Sequence, residues 1–293
     1  MIGKTRQQSD AQVEEYFDPE VGQARGVLRR HPPAAGKLRH SRRSPAANLA
    51  PWIEHYWMVS WDLRGHEPYT AQTLPHPSFQ VVFEKNRSSV SGVSTGMFTR
   101  VLEGNSHVFG IKFNPGAFRP FLTSPASALA NRTVPVNSIF RKDVEALEAV
   151  LVSTDKEEED QMVEAANVFL LPRVPDKPDE TILLAGQLVK RILEDRTIKT
   201  VDDLALSASI GKRTLQRIFN EYVGANPKWV IRRYRLHEVI ERFHSDSDAS
   251  VDFAQLALEL GYFDQAHLIN DFRSIVGYSP VQYQKLSGKT TAS

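Results

Sequence analysis

The hydrophobic positions of this chain change their period along its length, and the changes divide it. Residues 1–48 show no sustained period; "ARGVLRRHPPAAGKLRHSRRSPAAN" is rich in Arg, Pro, Ala and Ser and reads as a flexible, solvated N-terminal segment. Residues 49–114 alternate. Trp57, Val59, Trp61 and Leu63 share one strand face, as do Phe79, Val81 and Phe83, and again His107, Phe109, Ile111 and Phe113. The turn signals "STG" at 94–96 and "EGN" at 103–105 predict hairpins joining "SSVSGV", "MFTRVL" and "HVFGIKF". Closely spaced strands with short turns predict an antiparallel barrel or sandwich. Past "NPGAF" the period becomes helical, in "DVEALEAVL" and "DQMVEAANVFLL", so two helices close a domain over 49–171. "PRVPDKPDE", 172–180, with three prolines, reads as a linker. From 181 to 287 the spacing is helical almost throughout, and 288–293 is a tail.

The helical region repeats itself. "IGKRTLQRIFNEYVGANP" (210–227) and "FDQAHLINDFRSIVGYSP" (263–280) superpose with a shift of 53 positions. Leu215 then falls on Leu268, Phe219 on Phe272, Val223 on Val276, Gly224 on Gly277 and Pro227 on Pro280. In the first copy Leu215, Ile218, Phe219 and Tyr222 form an inward stripe, and Lys212, Arg213, Gln216, Arg217 and Asn220 are left to project outward. In the second, Leu268, Phe272, Ile275 and Val276 face in, and Gln265, Ala266, His267, Asn270 and Arg273 project outward. Each is preceded by a short helix. "TVDDLALSA" opens on the cap candidate Thr200, and "SVDFAQLALELG" runs from Ser250 to Gly261. Helix, tight turn and helix, with long hydrogen-bonding side chains outside, is the helix-turn-helix pattern that reads base edges and phosphates. Gly then Pro ends each reading helix and starts the next.

Charge sharpens this picture only locally, because the net charge is +1. Between Lys212 and Arg235 lie Lys212, Arg213, Arg217, Lys228, Arg232, Arg233 and Arg235, opposed only by Glu221, which predicts an electrostatic footprint for DNA. The helix after the first copy, about 25 Å long, holds two reading units apart on consecutive major-groove faces about 34 Å apart. The absence of cysteine removes disulfides, cysteine–zinc sites and thiol chemistry, and suits a cytoplasmic setting. No apolar run reaches about 18 residues, and the N-terminus lacks the apolar stretch of a signal peptide, so no membrane partner is expected.

The region 182–287 resembles the AraC/XylS family of bacterial transcription regulators. The first copy is similar to its "R-x-L-x-R-x-F…G-x-x-P" motif through Arg213, Leu215, Arg217, Phe219, Gly224 and Pro227. The second is similar to its longer signature through Gly261, Tyr262, Asp264, His267, Leu268, Phe272, Arg273, Gly277, Ser279, Pro280 and Tyr283. Asn270 and Asp271 stand just before the second Phe, where the family commonly has Arg. With Asp264 also near the reading face, the second unit is expected to bind more weakly than the first. Residues 50–140 resemble, more loosely, a β-rich domain of uncharacterised function found ahead of such regulators, comparable by position with cupin-like sensor domains.

The resemblance implies a DNA-binding regulator that is not an enzyme and needs no cofactor. Its partner is double-stranded DNA across two adjacent major-groove segments, and it admits a small-molecule effector, a second copy of the chain and RNA polymerase. Two other classes compete: a cupin-like metal enzyme with an appended DNA anchor, and a protein-interaction module. A cupin metal site needs closely spaced inward ligands, whereas His55, His76 and His107 sit on separate segments, so no metal ligands and no catalytic residues are assigned. No residue names an effector. Trp57, Trp61, Phe79, Phe83 and Phe113 are expected in the core rather than around a ligand.

Overall fold

The computed structural model describes residues 13–21, 27–28, 37–153, 158–245 and 252–287. Its first half is built from strands β1 (Val13–Phe17), β2 (Val27–Leu28), β3 (Lys37–Arg43), β4 (Ile53–Asp62), β5 (Tyr69–Thr73), β6 (Gln80–Phe83), β7 (Ser89–Ser91), β8 (Phe98–Leu102), β9 (Asn105–Phe113) and β10 (Thr133–Pro135). Seven form one sheet in the order β1-β3-β4-β9-β6-β7-β10, and β2-β5-β8 form a second. All pairs are antiparallel except β1 with β3. The domain is therefore the sandwich form of the expected β architecture, with two separate sheets and no closed barrel.

Alternation along β4 explains how both faces are filled. Tyr56 and Met58 join Phe83, Phe109, Ile111 and Phe113 in the main core. Trp61 joins Leu63, Leu102 and Val108 in a smaller cluster, with Trp57 and Val59 packed against it. Gly110 of β9 lies opposite Trp57, and a Cβ there would sit 1.9 Å from the indole. This glycine seats an aromatic ring across the sheet instead of breaking the strand.

Two expectations are corrected here. The turns at 94–96 and 103–105 do not close hairpins. β8 pairs with β5 in the small sheet, while β7 and β9 lie in the large one. Both turns carry the chain from one sheet to the other, which the local turn residues do not encode. The N-terminal segment read as solvated contains β3, in register with β4 from Lys37–Asp62 to Arg43–Tyr56. Arginines take the place of apolar residues along this strand, and the alternation is hidden. They are held by a carboxylate: Glu159 accepts from Ser41 Oγ at 2.7 Å and Arg43 Nε at 3.1 Å, and lies 3.0 Å from Arg39.

Helices α1 (Asn137–Phe140), α2 (Glu145–Ser153) and α3 (Glu159–Leu170) follow the sheets. Glu159 begins α3, so the same ion pairs dock that helix on β3. Then come α4 (Glu180–Glu194), α5 (Val201–Ala208), α6 (Lys212–Ile218), α7 (Pro227–Ser245), α8 (Phe253–Glu259), α9 (Gln265–Val276) and α10 (Pro280–Ser287). α4 starts where Asp179 accepts from the Ile182 amide at 2.8 Å, an N-cap directly after the proline-rich stretch. One continuous apolar core runs from Tyr56 and Phe113 through Ala185 and Leu188 to Phe219, Val230 and Phe272. The helices are packed on the β domain, not tethered to it.

Candidate nucleic-acid interface

Each helix-turn-helix unit is set by local chemistry. Thr200 caps α5 through the Asp203 amide, and Asp203 returns a bond to the Thr200 amide, a reciprocal capping box. Ser209 takes left-handed backbone (φ 54°) to end α5, and Gly211 opens α6. In the second unit Asp252 caps α8, and Asp264 caps α9 through the His267 amide at 2.7 Å. The start expected at Ser250 lies outside the described residues. The two reading helices begin at Lys212 and Gln265, 53 positions apart, and both end on a left-handed glycine, Gly224 (φ 87°) and Gly277 (φ 80°). Pro227 and Pro280 each start the next helix.

The inward stripes are as the period predicts. Leu215, Ile218, Phe219, Leu268, Phe272, Ile275 and Val276 are buried. Tyr222 is half-buried and turned toward the β domain, with the Arg119 guanidinium 5.9 Å from its ring. Lys212, Arg213, Gln216 and Arg217 are exposed along α6 and Asn220 in the turn that continues it, and Gln265, Ala266, His267, Asn270 and Arg273 are exposed along α9. Each set lies on the flank opposite its buried stripe. The helices differ at their ends. The last turn of the first is a π-turn over Phe219–Val223, closed by Gly224 N donating to Phe219 O at 2.8 Å. The second stays α-helical, with Gly277 N donating to Arg273 O at 2.9 Å.

The electrostatic footprint is smaller than the sequence suggests. Arg232 grips the Asp271 carboxylate with both arms, Nε to Oδ2 at 2.6 Å and Nη2 to Oδ1. Arg233 is buried and donates to Pro75 O at 2.7 Å. The Arg235 guanidinium lies 5.6 Å from the centre of the Tyr262 ring, where burial draws its pKa down. Lys212 pairs with Asp202, and Arg217 sits 3.5 Å from Glu221. Of the seven cations, three on α7 therefore brace the fold. The expectation that Asp271 faces the groove is overturned with them, because this carboxylate is buried against α7. Asp264 does remain exposed beside the second reading helix.

Sequence reasoning missed Arg232, Arg233 and Asp271 as structural partners. The signal was there: Arg233 stands four residues after Trp229 and three before Leu236, inside an apolar helical stripe. That stripe faces the β domain. Trp229 Nε1 donates to Thr95 O at 3.2 Å, and Gln72 Nε2 is 3.5 Å from Tyr278 Oη. Arg233 Nη2 is 3.1 Å from His76 Nδ1, Lys112 Nζ is 3.5 Å from the same nitrogen, and Lys112 donates to Glu54 at 2.8 Å. Burial pushes the neighbouring His55 imidazole down to about 4; the Glu54 hydrogen bond opposes the shift, and the Lys112 and Arg42 charges reinforce it.

His55 and His76 belong to this polar seam, whereas His107 Nε2 lies 3.0 Å from Leu151 O. Among the described residues no group of three or more His, Asp or Glu comes together as a metal cage. A cavity of about 10 Å³ between Arg39, Met58, His107 and Glu159 holds no more than a water molecule. No helix among the described residues is long and apolar enough to cross a membrane.

Comparison with known proteins places these observations. Residues 204–286 match the family model described as "Helix-turn-helix domain", and residues 41–135 match "Domain of unknown function (DUF6597)". No curated protein matches. Among solved structures, an AraC-type transcriptional regulator from Chromobacterium violaceum is 17% identical, covering 37% of this chain and 98% of its own, with TM-score 0.31. The C-terminal domain of the response regulator AraT from Geobacillus stearothermophilus is 17% identical over 36% of this chain and 88% of its own, with TM-score 0.32. ToxT from Vibrio cholerae O395 is 14% identical over 88% of this chain and 99% of its own, with TM-score 0.37. Residues 204–286, which span both units, therefore carry a helix-turn-helix domain whose signature residues resemble those of AraC/XylS-type regulators, and residues 41–135 carry a DUF6597 domain ahead of it.

Proposed function

We propose that this protein is a sequence-specific transcription regulator that lays α6 and α9 in two consecutive major-groove segments of one DNA face. The observation that carries the reading is the shared register. Both reading helices start and stop 53 residues apart, both expose their polar flank, and one 19-residue helix of about 28 Å joins them. Gln216 and Arg217 read base edges in the first segment, with Lys212, Arg213 and Asn220 on bases or phosphates beside them. Gln265, Ala266, His267, Asn270 and Arg273 make the contact in the second. The β domain acts as the regulatory module, and an effector or a second copy of the chain bound there reaches the reading helices through α7.

The test is selection of bound sequences from a random DNA pool by the full-length protein. Two enriched half-sites centred about 10–10.5 base pairs apart are expected, with affinity falling steeply as salt rises. A pool that yields no enriched sequence rejects the reading.

A further inference from the structure

The position just before each reading helix is used in opposite ways. In the first unit Ile210 precedes the cap Gly211 and packs against the core. Its counterpart 53 residues on is Phe263, which precedes the cap Asp264 and is 88% exposed. A hydrophobic residue at this position commonly staples onto the fourth residue of its own helix. Here that residue, Leu268, is wholly buried without help from the ring. A solvent-facing phenyl group is thus held at the end of a helix whose N-terminus is the end that enters the groove.

We propose that Phe263 packs on the C5-methyl group of a thymine at the edge of the second half-site, which makes it a specificity residue for DNA. The inference rests on the DNA reading above. Phe263 stands two residues before Gln265, in an exposed run that includes Ala266 and His267. The thymine methyl is the apolar group that the major groove displays on a base edge. Phosphate is a poor partner at this spot, because the next residue, Asp264, is exposed and carries a negative charge. The first unit meets DNA with Lys212 and Arg213 and turns its apolar residue inward; the second turns its apolar residue outward and reads by contact.

The experiment starts from the site selected by the full-length protein. Each thymine of the second half-site is replaced singly by uracil, which lacks only the methyl group. One replacement should weaken the wild-type protein about fourfold, the factor expected for burying one methyl-sized apolar group. Phe263→Ala should bind the thymine site about fourfold more weakly and be indifferent to that replacement, while Phe263→Leu keeps part of the preference. The ring is exposed, so the melting temperature of both variants should match that of the wild type. Uniform wild-type binding to every uracil site overturns the inference and leaves the DNA reading intact. So does an undiminished thymine preference in Phe263→Ala, and if that variant also loses self-association in sedimentation, the ring is a contact between copies of the chain. Failure to select any sequence removes both readings together.

Discussion

The two helix-turn-helix units share a register but are anchored differently. The first is wedged against the β domain: a Cβ at Gly224 would lie 3.2 Å from the Ala126 carbonyl oxygen, and Trp229, just beyond, bonds to Thr95. The second hangs on α7 through the Arg232–Asp271 pair and touches the β domain more lightly, with the Met97 methyl at 3.2 Å from a Cβ built on Gly277. A sequence repeat therefore does not imply a repeated support. The reading flank is copied, while the inward side of each unit is specialised to what lies behind it.

Breaking the support of the second unit should have the largest effect. Arg232→Ala strips the buried Asp271 carboxylate of its two-armed partner, with the Arg235 charge and the Tyr262 ring left beside it, at a cost on the order of 3 kcal/mol. Urea unfolding measures the loss, and footprinting should show the second half-site released while the first stays protected. Equal weakening of both halves would mean that the pair holds the whole domain and not the second unit.

At the reading face, Arg217→Ala should cost about 2 kcal/mol on the selected site and relax preference at one or two base pairs, against about 1 kcal/mol for Asn270→Ala. Anisotropy titrations on selected and scrambled DNA separate base reading from phosphate contact. Of the two carboxylates weighed against the second unit, Asp271 is buried and Asp264 is exposed, so the gap between units should be narrower than the sequence suggests. Equal losses would abolish it.

Acid probes the seam behind α7. The His55 imidazole titrates near 4 when folded and near its ordinary 6.5 when unfolded. Between those values the unfolded chain binds more protons, so stability falls as pH falls through that window, by about 2 kcal/mol from pH 7 to 5. Melting curves across that range should show the drop, and His55→Gln should flatten it.

The two glycines give the finest discrimination. Both have positive φ, so alanine costs about 1 kcal/mol at either. At Gly224 the new methyl also meets the Ala126 backbone, which cannot swing away; at Gly277 it meets the end of a methionine, which can. Gly224→Ala should exceed Gly277→Ala by about 1 kcal/mol in thermal unfolding. A reversed order would show that the β domain yields more readily than the methionine.

The two exposed polar flanks were legible in the sequence, because helix period, the Thr200 cap and the glycine stops at Gly224 and Gly277 are local signals; the Asp264 cap was not read there. The sheet topology was not. Whether β8 pairs with β7 or β5 depends on which sheet the chain enters after a turn, and "STG" is compatible with either. β3 escaped notice because Arg39 and Arg43 supply buried strand contacts through Glu159 instead of apolar alternation. Charge misled for a related reason: arginine type does not state direction, and Arg232, Arg233 and Arg235 turn toward protein.

Arg232 and Arg233 are neighbours in α7, about 1.5 Å apart along its axis and 100° apart around it. One holds Asp271 beneath the second reading helix, and the other holds the Pro75 carbonyl of the β domain. A single peptide unit thus stands between the grip on the β domain and the grip on the second helix-turn-helix unit. A displacement that favoured one grip over the other would couple the two sides, and linkage would make that coupling reciprocal: whatever a ligand on the β domain did to DNA affinity, DNA would do in equal measure to the affinity for that ligand.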